Sequence, residues 1–431
     1  MNRSITTMVV ALALAWGAAA PPQALSPVQA APAAAGAPLR LVVETGAVSG
    51  SNIPVSAKIE LGAEWSAVLE EEIRVQMRTD DADNAATLGQ VVKLTGNEAE
   101  LWWILPEAKA ETATTWRATL SRGAGTDKDT SFSWRDEAGA HLDLLLGGKP
   151  VTRYMYAYDT SSKERTHETY KPFHHVFDAA GNIITKGPGG QFTHHRGLFI
   201  GWPKVGFEGK TYDLWHMSGV AQVHQKFLKQ TAGPVLARAT ALIHWNDKEG
   251  QPIITEERET TVFRQPAPAI MLLDFHTRLT AVRGDVVLNG DPEHGGFHYR
   301  PHDDAGKPIK AGATGTMKDK ITEASAYQFD KEGVDPHKVK DLPWAGMSYA
   351  LHEQRYSVQH MNHPTNPQGT LYSAYRDYGR FGAFFKHDIK SGETLDLRFR
   401  VRVTSGPMPS REEMSAHWAA FAHPPVVKLG S

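Results

Sequence analysis

From Leu395 to Val403 apolar and charged residues alternate without a break: Leu395, Leu397, Phe399, Val401 and Val403 against Asp396, Arg398, Arg400 and Arg402. A period of two is the repeat of a β-strand, whose successive side chains leave opposite faces. The segment therefore predicts a strand with one apolar face turned to a core. Leu273, Phe275, Thr277 and Leu279 alternate likewise with Asp274, His276, Arg278 and Thr280. Residues 254–263 also read as a strand, but one that is polar on both faces, which predicts that one face borders a wet groove. The 38 glycines and 26 prolines suit a turn-rich chain of this kind better than a helical one. The fold class expected is all-β.

A chain of 431 residues is too long for one comfortable core. Short apolar runs separated by turn signals, such as Leu41-Val42-Val43, Ile73-Arg74-Val75 and Val91-Val92-Lys93-Leu94, predict a small N-terminal β-sandwich over residues 39–147. Gly147-Gly148-Lys149-Pro150 marks a boundary, and residues 150–407 are expected to form a large β-sandwich. In residues 408–431, Ser410-Arg411-Glu412-Glu413 fits a capping box, and Met414, Trp418 and Phe421 follow at helical spacing, predicting a C-terminal helix that packs across a sheet.

Residues 1–30 carry Arg3, an apolar run from Met8 to Trp16 and then small residues, the pattern of a secretory signal peptide. The run is shorter than the roughly 20 apolar residues a span requires, and no later stretch reaches that length. A periplasmic or secreted protein without a membrane span is expected. Cysteine is absent, so stability cannot come from disulfides and no thiolate can act as metal ligand or nucleophile. A formal net charge of −2 gives no global field for nucleic acid. The partner expected is a small molecule or an oligosaccharide.

Polar side chains gather in a few stretches. Gln191-Phe192-Thr193-His194-His195-Arg196-Gly197 reads as a turn feeding a strand. If it is already extended, His194 and Arg196 share a face and His195 takes the other. Arg196 favours a carboxylate or polar oxygen over a cation. In Glu293-His294-Gly295-Gly296-Phe297-His298-Tyr299-Arg300 a strand would align His298 and Arg300 on one face and turn Phe297 and Tyr299 to the core. His298 with a residue from another strand could hold a divalent metal. His194, His195, Arg196, Glu293, His298 and Arg300 are the candidate catalytic residues, with Glu256, Glu257, Glu259 and Asp377 as further carboxylates for acid–base work. Trp202, Trp215, His216, Glu256, Arg258, Asn362, His363, Asn366, Arg376, Tyr378 and Arg380 are candidate substrate-binding residues, because rings cover sugar faces while Arg, Asn and carboxylates bond hydroxyls. The alternative for each stretch is an internally satisfied network or a solvated sheet face. No G-x-S-x-G elbow, Walker loop or dinucleotide fingerprint occurs.

Phe192-Thr193-His194-His195-Arg196-Gly197-Leu198, Asn362-His363-Pro364 and Tyr375-Arg376-Asp377-Tyr378-Gly379-Arg380-Phe381, in this order over about residues 150–405, resemble the PmoA-like ("methane oxygenase PmoA") family of exported bacterial proteins. Asn52-Ile53-Pro54-Val55 is similar to that family's leading domain. The resemblance implies a supersandwich fold akin to sugar-binding galactose mutarotases and a place in polysaccharide use. It also implies that His194, His195, Arg196, Asn362, His363, Arg376, Tyr378 and Arg380 line one cleft. An exported enzyme that hydrolyses or eliminates a glycosidic bond with His/Glu acid–base groups and Arg anchors is the function expected. The alternatives are a noncatalytic glycan-binding protein and, from the family's label, a metal-dependent oxygenase.

Overall fold

A computed structural model of the chain describes residues 32–80, 86–123, 127, 129–305, 325–351, 353–376 and 378–430; the expected signal peptide and Asp377 lie outside them. Residues from Pro32 onward form one compact unit. The alternating segment is the strand Thr394–Ser405, with Leu397, Phe399, Val401 and Val403 wholly buried. It lies between Ala269–Ala281 and Gln354–Asn362 in an eight-stranded antiparallel sheet, the back sheet. A second eight-stranded sheet, the front sheet, runs from Leu371–Tyr372 through Phe381–Phe384, Gly296–Tyr299, Leu198–Gly201, Phe173–Val176, Lys149–Met155 and His141–Leu146 to Phe132–Glu137.

The two sheets share one core. Phe275 of the back sheet stacks on Phe297 of the front sheet at 4.1 Å, and the Tyr299 and Tyr349 hydroxyls meet at 2.8 Å. Each such ring contributes roughly 1.5–3 kcal/mol by leaving water. As expected, Phe297 and Tyr299 face this core, so His298 and Arg300 emerge on the other side of the front sheet. A four-stranded sheet of Lys210–Tyr212, Lys204–Phe207, Val286–Asn289 and His387–Ile389 completes this part.

The N-terminal part is a seven-stranded antiparallel sheet around its own core. The sequence boundary at 147 needs correcting. Phe132–Glu137 and His141–Leu146 pair with each other and with Lys149–Met155 in the front sheet, because Leu142 and Leu144 bury into the large core. The chain's end returns as well: Val426–Leu429 pairs with Pro38–Glu44. Between them, the helix Arg411–Ala422 begins where expected, Ser410 Oγ accepting from Glu413 N at 3.1 Å. Met414 and Phe421 bury against Trp344 and Met361.

The expectation that one face of residues 254–263 borders a groove is met on the outer face, where Glu259, Thr261 and Phe263 line a groove with Asp274, His276 and Arg400. Strand Pro252–Phe263 turns Glu256, Arg258 and Thr260 into the space between the two large sheets, while Glu257 and Glu259 look outward. Its polar inner face is internally satisfied.

Candidate active site

The outer face of the front sheet carries the site. Its floor is Phe173, Phe199 and Trp215, a small apolar cluster separate from the main core. Trp215 packs on Phe199 at 4.6 Å and on the His298 ring at 4.7 Å. His298 shares the strand Gly296–Tyr299 and is wholly buried, its Nε2 donating to Gly295 O at 2.6 Å. That bond leaves Nδ1 as the lone-pair nitrogen, and it has no partner. Gly382 sits opposite on the neighbouring strand. A Cβ there would lie 2.4 Å from His298 Cγ, so only glycine admits this ring.

Residues 194–196 are not extended. Residues 192–195 form a turn closed by His195 N donating to Phe192 O at 2.9 Å, and the strand starts only at Leu198. Phe192 holds φ at 55°, a conformation that costs a non-glycine residue free energy and that recurs at ligand-binding sites. The turn folds His195 inward. Only 2% of His195 is exposed and its Nε2 has no partner. Over it lie Phe192, at 5.2 Å, and Tyr378, itself 4.9 Å from Phe192. His194 turns toward a second group: its ring is 4.4 Å from His216, which is 5.3 Å from His294. Asp213 and Asp291 hold the Nδ1 atoms of His216 and His294 at 2.9 and 3.1 Å.

Cations dominate the interior. Arg300 is 1% exposed, and Nε, Nη1 and Nη2 are all without a partner. Burial, and then Arg380, lower its pKa to about 9. Arg380 bonds Glu293 at 2.6 Å and the Tyr375 hydroxyl at 2.9 Å, and that hydroxyl also donates to Glu293 in a short contact. Lys171 Nζ donates to Trp215 O at 2.6 Å and lies 4.2 Å from the Phe199 ring; burial holds its pKa well below the usual lysine range. Arg196 donates to the carbonyls of Thr193, His195 and His167. It braces the turn and does not face outward. Burial first, then Arg300 and His194, push His195 far below the ordinary histidine range. Burial and Lys171 take His194 to about 2, and burial and Arg300 take His298 well below its ordinary value. These imidazoles are neutral near pH 7, able to accept a proton once the local field changes.

Among the described residues, Asp291, Glu293 and His294 present ligand atoms within 4.8 Å of one another. A divalent metal there would compete with Arg380 for Glu293 and with the imidazole of His294 for Asp291.

The structure thus gathers His194, His195, Arg196, His216, Trp215, Glu293, His298, Arg300, Tyr378 and Arg380. Arg376 adjoins them, exposed and laid over the Tyr375 ring at 4.8 Å. Other expectations are corrected. Trp202 is wholly buried in the main core, with Nε1 on Phe385 O, and cannot stack on a ligand. Glu256 and Arg258 form a buried bidentate pair at 2.8 and 2.9 Å, and Glu256 also accepts from Trp245 and Thr277. Asn366 donates to Asn362 Oδ1 and bonds both backbone groups of Arg398. His363 lines a different groove, with Trp102, Asp274, Arg400 and Phe421. The resemblance's single cleft therefore excludes Asn362 and His363. Lys171, Tyr375 and Phe192 were not among the predicted site residues, although Lys171 stands out as a lone charge before Pro172-Phe173.

Residues 141–419 match the model of a family described as "Family of unknown function (DUF6807)". No curated protein matches the chain. Among solved structures, a protein in the glycosyl hydrolase family 38 from Enterococcus faecalis is similar at 10% identity and a TM-score of 0.43, over 91% of this chain and 47% of that one. The chain thus spans about half the length of that protein, and a similarity this weak carries no argument about activity. No helix among the described residues is long and apolar enough to cross a membrane.

Proposed function

We propose that this chain, which belongs to the DUF6807 family, is an exported enzyme that hydrolyses or eliminates a glycosidic bond of a carbohydrate or sugar derivative. The observation that carries the proposal is His195: nearly inaccessible, neutral, with an unpaired Nε2, under the Phe192–Tyr378 pair and beside Arg300. An aromatic pair at the rim suits the apolar face of a sugar ring. Convergent donors beneath suit hydroxyls and developing negative charge. His195 accepts a proton in this arrangement, and Glu293 with Tyr375 and Arg380 forms the polar group on the other side. His195 and Arg380 also belong to the PmoA-like pattern, which this reading puts to work. The leader-like residues 1–30 support export.

A noncatalytic glycan-binding role is favoured by one observation: the carboxylate of Glu293 is committed to Arg380 and Tyr375. Titration calorimetry against a glycan panel, with product analysis of the same mixtures, separates the two. Turnover that falls on the order of 100-fold in H195A and E293Q, with folding intact, is the enzymatic outcome. Binding without product supports the second reading, and turnover unchanged in both variants rejects the acid–base assignment.

A further inference from the structure

We infer that Arg300 is the seat of a carboxylate, so that the carbohydrate taken at this site is an acidic one, carrying a uronate group. The inference rests on the carbohydrate reading above for the sugar, but the seat itself stands on geometry. Among the described residues, the other buried arginines make hydrogen bonds. Arg258, as deeply buried, meets Glu256 through two nitrogens, and Arg400 meets Asp274 through two. Arg196 has no carboxylate but satisfies three backbone carbonyls. Among the described residues Arg300 has no partner: all three side-chain nitrogens are buried and unpartnered. A guanidinium withdrawn from water without compensating bonds is strongly unfavourable, and such a buried orphan is where a ligand would complete the network.

The neighbouring groups define the ligand. Glu293 neutralises Arg380, Lys171 is bonded to the Trp215 carbonyl and Arg196 to three carbonyls, so the cation left to bond an anion is Arg300. Its planar fork fits two carboxylate oxygens. The unpaired Nε of Arg380 and Nε2 of His195 are further polar atoms facing the same region, and Phe192 and Tyr378 cover it. Arg300 is also, after burial, the foremost cause of the low His195 basicity. An anion on Arg300 relieves that part of the repulsion and shifts His195 toward accepting a proton, while burial continues to oppose its charged form.

The test is titration calorimetry of the full chain with galacturonic and glucuronic acid disaccharides, with their methyl esters and with the neutral disaccharide. The acid is expected to bind on the order of 100-fold more tightly than its ester, and the preference is expected to collapse in R300Q. If R300Q does not fold, the acid–ester comparison on the unaltered protein decides. In ligand-free protein R300M is expected to keep or raise Tm, whereas an arginine with a scaffold role would lose it. Acid and ester bound alike would overturn the seat and leave the carbohydrate reading standing. Binding of acetate or lactate at Arg300, with no sugar acid bound, would sink the carbohydrate reading and leave the seat. A sulfated sugar bound in place of the uronate, or no carboxylate bound at all, would overturn the assignment.

Discussion

Replacing Glu256 with alanine is predicted to destabilise the fold strongly while the double variant E256L/R258M recovers most of the loss. Glu256 is wholly inaccessible and accepts four bonds: Arg258 Nε at 2.8 Å and Nη2 at 2.9 Å, Trp245 Nε1 at 2.7 Å and Thr277 Oγ1 at 2.7 Å. Removing it strands a buried guanidinium, which costs about 3–5 kcal/mol. An unfolding entropy of about 2 cal/mol/K per residue over the compact unit from Pro32 onward makes roughly 0.8 kcal/mol/K. A loss of about 4 kcal/mol therefore lowers Tm by about 5 °C. Replacing both partners with apolar side chains of similar volume removes the desolvation cost together with the attraction, and such swaps are close to neutral. Calorimetric melts of the two variants and the parent check this. Tm within about 1 °C of the parent for E256A, or a double variant as unstable as the single one, would refute the reasoning. Ligand binding retained by the double variant would confirm that the pair is scaffold, not site.

Other predictions follow from the same structure. His174 and His360 are wholly buried and held to about 3, His174 by burial and then Arg258, His360 by burial. The unfolded chain protonates them near pH 6.5, so their contribution to stability is complete above about pH 6.5 and is lost progressively as pH falls toward 3. Urea midpoints should drop between pH 7.5 and pH 5, and equal midpoints would contradict the assignment. S410A removes the bond to Glu413 N and should cost about 1 kcal/mol, read as a lower urea midpoint with unchanged slope. W202A should lose about 3–5 kcal/mol of stability; a variant of unaltered stability that only binds glycan less well would restore the surface role. At Asp291, Glu293 and His294, elemental analysis of protein from metal-replete medium should find less than one equivalent of divalent metal, because Arg380 holds Glu293; a full equivalent would show that this ion pair opens in the working state.

The period of Leu395–Val403 carried directly into strand Thr394–Ser405, because in a half-wet strand the two faces differ in composition. The helix after Ser410 was equally legible, since its cap is local in sequence. Of residues 254–263 the groove-lining outer face was legible and the inner face was not: Glu256 and Arg258, two apart on one face, neutralise each other, and a buried polar pair looks in sequence like an exposed one. Trp202 misled because a core tryptophan and a stacking one have the same chemistry and differ only in which side of the strand they take. His298 and Arg300 were readable as a pair from the strand period, with Phe297 and Tyr299 turned to the core. His195 was not, because its direction is set by the turn at Phe192, whose positive φ no sequence pattern announces. The short strand Val426–Leu429 follows Pro424-Pro425 and depends on a partner at the opposite end of the chain, which local reasoning does not see.

The most direct measurement is a crystal structure of the protein soaked with a uronic acid disaccharide. The account predicts the sugar under Phe192 and Tyr378, with its carboxylate on Arg300 and a ring hydrogen or glycosidic oxygen within reach of His195 Nε2. Density in the groove of His363 and Phe421, with Arg300 unchanged and still unpaired, would contradict it.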